Sequence, residues 1–161
     1  MSRPYIAVVG PGEATALQQE IAQRVGADLA RAGAVVVCGG LGGVMAAACR
    51  GAASANGVTV GLLPGIDRSA ANEWVGIAIP TGIGELRNGL VVRAADAVVA
   101  IGGAYGTLSE VALALRTGVP VVGVDTWPIE GVESATSAQR AAERALELAG
   151  GRVSPPQRVE T

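Results

Sequence analysis

Short apolar runs alternate with longer amphipathic stretches along most of the chain. Tyr5–Gly10 (YIAVVG), Ala34–Cys38 (AVVVC), Val58–Leu63 (VTVGLL), Trp74–Ile79 (WVGIAI), Val98–Ile101 (VVAI) and Val119–Val124 (VPVVGV) have strand length and are rich in β-branched residues. Continuous runs of this kind belong to parallel strands covered on both faces. Between the first two, Leu17, Ile21, Val25 and Leu29 recur at every fourth position. That spacing predicts a helix over 15–32 with one apolar stripe, stopped by Gly33. Further helices are predicted over 44–55, 85–93 and 134–149, and over 108–115 with Thr107 as its cap. The helix over 44–55 is rich in Ala and can approach a sheet closely. Residues 65–73 read as a polar surface loop. Residues 150–161 read as a polar, disordered tail, which leaves 1–149 as a single domain. The alternation defines the fold class: α/β, one Rossmann-like doubly wound parallel sheet with helices on both faces and right-handed crossovers.

Three strands end in glycine turns: Gly10-Pro11-Gly12, Gly39-Gly40-Leu41-Gly42-Gly43, and Gly102-Gly103-Ala104-Tyr105-Gly106. In a doubly wound sheet all three lie at the carboxyl edge, where ligands bind near the topological switch point. A glycine turn feeding a helix leaves backbone N–H groups aimed at one spot and favours an anion, usually phosphate. A glycine there also serves close strand–helix packing alone. Three such turns shift the balance towards a nucleotide-like ligand. The stretch Ala94–Glu110 combines strand, turn and helix start, and places the acid Glu110 about one turn beyond the anion spot.

Composition removes several classes. A dinucleotide site needs an acid at the end of the second strand. No acid occurs between Asp28 and Asp67, so NAD is disfavoured. The chain has no Lys, which excludes a P-loop and a pyridoxal-phosphate Schiff base. It has no His, which excludes a His-based triad. No resident cofactor and no metal are expected. A net charge of −2 without a basic run argues against nucleic acid. No run reaches the roughly 18 apolar residues of a membrane span. The N-terminus lacks the features of a signal peptide, and Cys38 and Cys49 form no CxxC. Two free thiols in the cytoplasm are expected. Phe is absent, so Val, Ala, Leu and Ile must build the core.

The motifs Gly39-Gly40-Leu41-Gly42-Gly43-Val44-Met45, then Arg87, then Tyr105-Gly106-Thr107-Leu108-Ser109-Glu110 resemble the Lonely-guy (LOG) proteins, once called possible lysine decarboxylases. The resemblance covers roughly residues 5–125. Characterised members are cytokinin riboside 5′-monophosphate phosphoribohydrolases, which split the N-glycosidic bond of an adenine nucleotide. Their signature PGGxGTxxE falls on Gly102 to Glu110, and their upstream Arg-Lys pair on Arg87-Asn88. The resemblance makes Arg87 and Glu110 the catalytic pair and gives the 5′-phosphate to Gly103, Gly106 and Thr107. Gly102, Ala104, Tyr105 and Asn88 join the ligand site with them. The other two turns and their flank add Gly10, Gly12, Gly39, Gly40, Gly43 and Met45, although the residues alone make Met45 a packing residue.

The chain departs from the pattern at Gly102, Ala104 and Asn88, and its first motif is shorter. In this it is also similar to the molybdenum-cofactor carrier protein of algae. Two readings follow. One is a hydrolase of purine nucleoside 5′-monophosphates, in which Glu110 stabilises an oxocarbenium-like ribose or activates water. The other is a non-catalytic carrier or sensor of a nucleotide or molybdopterin-type cofactor. Glu85 and Glu13 are weaker acids for the same chemistry. Asp96 reads as structural, and Trp74 and Trp127 as packing residues more than stacking platforms. The resemblance also implies a homodimer or higher homo-oligomer, with Val111, Leu113, Ala114 and Leu115 as the apolar contact face.

Overall fold

A computed structural model describes residues 2–151. In chain order the elements are β1 (Tyr5–Val9), α1 (Ala16–Arg31), β2 (Val35–Cys38), α2 (Val44–Ser54), β3 (Val58–Leu63), β4 (Ile77–Pro80), α3 (Arg87–Arg93), β5 (Ala97–Ile101), α4 (Tyr105–Arg116), β6 (Val121–Val124), β7 (Val132–Ser134) and α5 (Ala138–Gly150). The strands form one parallel sheet in the order β4-β3-β2-β1-β5-β6-β7. The chain winds outwards from β1 to β4, then returns to the other side of β1 with β5. The switch point therefore lies between the carboxyl ends of β1 and β5.

Alternate residues of each central strand feed two cores. Ile6, Val8, Val36, Val99 and Ile101 pack under α1, α2 and α5. Ala7, Val9, Val37, Val98 and Ala100 pack under α3 and α4. The first core holds two helices in close contact. A Cβ at Gly26 would run into the Ala48 carbonyl, and one at Gly51 into the Gln23 carbonyl. Ala would improve the helix propensity at position 51 by about 1 kcal/mol. Overpacking against fixed backbone costs about 1–3 kcal/mol or more. Gly51→Ala is expected to destabilise the protein, seen as a lower denaturant midpoint at unchanged slope. A higher midpoint would contradict the helix crossing described.

The sheet departs from the expected strands at its edges. β4 starts at Ile77 rather than Trp74, because the chain turns over Asn72–Val75, where the Val75 N–H donates to the Asn72 carbonyl at 3.2 Å. Thr59 Oγ1 donates to the Trp74 carbonyl at 2.8 Å and accepts from the Gly76 N–H at 2.7 Å. β7, over Val132–Ser134, is an additional strand that takes Ser134, the expected first residue of the last helix. That helix begins instead at Ala138, where the Ser137 hydroxyl caps the Arg140 N–H at 3.1 Å. It runs to Gly150, and the remainder of the expected tail lies outside the described residues. The segment before β5 starts as a 3₁₀ turn over Gly84–Leu86 and becomes α3 at Arg87. Asp96 is structural: its Oδ2 accepts from the Tyr5 N–H at 2.8 Å and ties β5 to β1. The contact face expected on α4 is divided. Val111 and Ala114 are buried in the second core, while Leu113 is exposed.

Candidate functional site

The sequence after β5 leaves the sheet at Gly102, whose φ of +61° suits glycine. The chain then extends through Ala104, which is the residue that caps α4. Thr107 is not the cap. It sits three residues later, buried, and its Oγ1 accepts from the Ala104 N–H at 3.3 Å. Its own hydroxyl proton remains available to a ligand. The first intrahelical bond of α4 runs from the Leu108 N–H to the Ala104 carbonyl at 2.9 Å. The N–H groups of Tyr105, Gly106 and Thr107 therefore lack helical acceptors, and the helix dipole adds partial positive charge there.

Gly106 and Thr107 border a cavity of about 330 Å³ at the switch point. Gly10 and Gly12 after β1 line it together with Ala104, Gly106, Thr107 and Glu110 after β5. Arg87, Asn88 and Met45 are also lining residues. Of the other expected residues, Gly39, Gly40 and Gly43 stand behind this surface. A Cβ at Gly39 would strike the Arg87 guanidinium and lie 2.8 Å from Met45 Sδ, and one at Gly43 would strike the Pro11 carbonyl. The Val44 N–H at the start of α2 already donates to Pro11 at 3.1 Å. The second glycine turn thus packs the site from behind, and part of its own helix terminus is consumed. Gly102, Gly103 and Tyr105 also lie outside the cavity lining. Pro11, Leu41, Pro64, Gly84 and Glu85 line it, and of these only Glu85 was singled out from the sequence. Glu13 does not line it.

Arg87 and Glu110 face this cavity from α3 and α4, each only 7% exposed. Arg87 Nη1 donates to Asn88 Oδ1 at 3.2 Å, while the buried Nε has no acceptor. Asn88 Nδ2 donates to Ser109 Oγ at 3.2 Å, and that hydroxyl donates to the Gly106 carbonyl at 2.7 Å. This relay ties the guanidinium to the first turn of α4. It gives Asn88, where the LOG pattern has Lys, an orienting place. Ser109 is the member that the sequence did not single out, although it lies inside the quoted motif. Among the described residues, no ion pair within 4.0 Å joins Arg87 to Glu110. Burial pushes the Glu110 carboxyl up to about 7, against the opposing pull of the Arg87 charge. A carboxyl poised there can give or take a proton near neutral pH.

Cys38 and Cys49 are free, buried thiols 3.4 Å apart. Among the described residues, no group of three or more His, Cys, Asp or Glu is placed to hold a metal ion. No described helix is long and apolar enough to cross a membrane.

Sheet order, glycine loop and buried Arg–Glu cavity define a Rossmann-like α/β protein with a polar cavity at its switch point. The chain belongs to the SLOG cluster4 family, within the LOG-like superfamily, whose model matches residues 3–150. It is 42% identical over 124 residues to an uncharacterised protein of Archaeoglobus fulgidus, covering 77% of this chain and 82% of that one. The molybdenum cofactor binding protein of Rippkaea orientalis superposes with a TM-score of 0.87 at 37% identity, over 92% of this chain and 98% of that one. The molybdenum cofactor carrier protein of Chlamydomonas reinhardtii gives 0.83 at 33% identity, over 92% and 99%.

Proposed function

We propose that this chain binds a phosphorylated, nucleotide-like small molecule and acts as its carrier or sensor, with a molybdopterin-type cofactor as the fitting cargo. The observation that carries this reading is Arg87, a buried cation whose Nε has no acceptor, lining one cavity with Gly106 and Thr107, whose N–H groups have no helical acceptor. A buried guanidinium with no direct ion pair and an unpaired N–H is costly unless a bound anion completes it. The phosphate belongs at Gly106 and Thr107, with Gly10 and Gly12 opposite. The likeness to two molybdenum-cofactor-binding proteins supports a pterin as the organic part.

One observation favours a second reading. Glu110, pushed up to about 7, suits proton transfer or cation stabilisation during cleavage of an N-glycosidic bond. Both readings place the protein in the cytoplasm as a homo-oligomer, with Leu86, Leu90 and Leu113 exposed for the contact. The test is incubation with AMP and with a 6-hydroxymethylpterin phosphate, with calorimetry for binding, chromatography for free base and light scattering for assembly. Binding without release of base is expected. Steady release of adenine would establish the hydrolase instead. No binding of either compound would remove both.

A further inference from the structure

α4 separates two concave surfaces. Gly106, Thr107 and Glu110 share the side that faces the cavity above. By the 3.6-residue period, Tyr105 and Leu108 point to the opposite side. There they line a second groove of about 720 Å³ with Gly103, Ala104, Trp127 and Ile129. Ala104, the capping residue, borders both. The groove therefore begins where the unpaired N–H groups of α4 are presented.

Its walls are unusual for this chain. The sequence has two Tyr, two Trp and no Phe, and one of each stands here. Tyr105 is 92% exposed, although its ring is apolar. Trp127 is fixed close to the loop: a Cβ on Gly103 would lie 2.5 Å from its Cη2. The segment that carries it is a built turn. Asp125 adopts a φ of 52°, and the Ile129 N–H donates to the Trp127 carbonyl at 2.9 Å. The groove lies within the 300–1,000 Å³ typical of ligand pockets.

We propose that this groove is a ring subsite, which takes the planar heteroaromatic ring of the ligand whose phosphate sits at the amino end of α4. The inference rests on the phosphate reading above and deepens it. The ring lies against Tyr105 and Trp127, on the side of α4 away from Glu110. A bond next to that ring is then out of reach of the carboxyl, so this subsite goes with holding a ligand rather than cutting it.

The test compares ribose 5-phosphate, which has no ring system of this kind, with AMP and 6-hydroxymethylpterin phosphate. Affinities are measured by calorimetry on the whole chain and on Tyr105→Ala, Trp127→Leu and Trp127→Phe. The N–H at position 105 survives the first substitution, and the side chain removed is exposed and packs in neither core. At least one ring compound is expected to bind about 10-fold more tightly than ribose 5-phosphate, on the scale of base–aromatic stacking. Tyr105→Ala and Trp127→Leu should each remove most of that advantage, with ribose 5-phosphate within twofold of the parent, and Trp127→Phe should retain it. An advantage that survives both substitutions overturns the ring subsite and leaves the phosphate reading standing. Failure of the parent to bind any of the three overturns both. Loss of self-association in Tyr105→Ala, with ring affinity unchanged, would show that a second copy occupies the groove and overturn the proposal.

Discussion

Arg87→Met is expected to lower affinity for ribose 5-phosphate by about 100-fold or more, while the empty protein stays as stable as the parent or gains stability. Two opposing effects decide this. Without a ligand, Arg87 is a cation 7% exposed, with one hydrogen bond to a neutral amide and an orphaned Nε. Exchange of a poorly compensated buried charge for an apolar side chain of similar length is often neutral or stabilising. With a phosphate bound, the guanidinium gains charge-assisted hydrogen bonds, each worth about 1.5–3 kcal/mol. Two such bonds correspond to at least 100-fold in affinity. Calorimetry and urea denaturation read the two halves separately. Unchanged affinity would place the anion elsewhere. A stability loss above about 2 kcal/mol would make Arg87 a structural link, through Asn88 and Ser109, between α3 and α4. Arg87→Lys is a poor rescue, because an ammonium cannot reproduce the planar fork.

The central strands were legible because burial on both faces leaves no polar position to confuse their length. The edges were not. β7 is Val-Glu-Ser, with too little apolar character to be told from the start of a helix. The helix after Gly102 was placed late, because Thr107 has the chemistry of a cap but acts from the third helical position. The spacing of Arg87 and Glu110 was visible, and so was their pairing by resemblance. Their burial was not, since each is equally consistent with an exposed charge on a helix. The second glycine turn shows the same limit. Its residues look like those of a phosphate loop, yet whether its N–H groups are free depends on Pro11, more than thirty residues earlier than Val44. The apolar contact face expected on α4 is only partly exposed for the same reason. Val111 and Ala114 are apolar because they meet β5 and β6, which the periodicity of α4 cannot reveal.

Glu110→Gln is expected to stabilise the protein at pH 8 by up to about 3 kcal/mol and to leave stability at pH 4 nearly unchanged. The carboxyl titrates near 7 in the fold and near 4.5 when ordinary. Between those values the folded chain keeps a proton that the unfolded chain has released, so stability falls as pH rises from about 4.5 to 7 and is level above. A shift of that size corresponds to about 3 kcal/mol. Gln removes the titration, so the parent and variant curves should begin to diverge near pH 4.5 and separate fully by about pH 7. Identical curves would mean that Glu110 is more solvated than its position implies. The same substitution separates the two functional readings. In a carrier, the ionised carboxyl faces a phosphate across a small cavity and opposes it. Affinity for ribose 5-phosphate should then be higher in Glu110→Gln than in the parent above pH 7, and equal below pH 5. The second ionisation of the phosphate, near 6, is common to both proteins and cancels in the comparison. In a hydrolase, the variant should bind as well or better but release no base. Glu110 therefore costs stability and, in a carrier, affinity as well. A parent that releases no base, with a variant that binds more tightly, would mean the acid serves ligand release as the pH rises. A parent that turns over AMP and a variant that does not would give the acid its cost in exchange for chemistry.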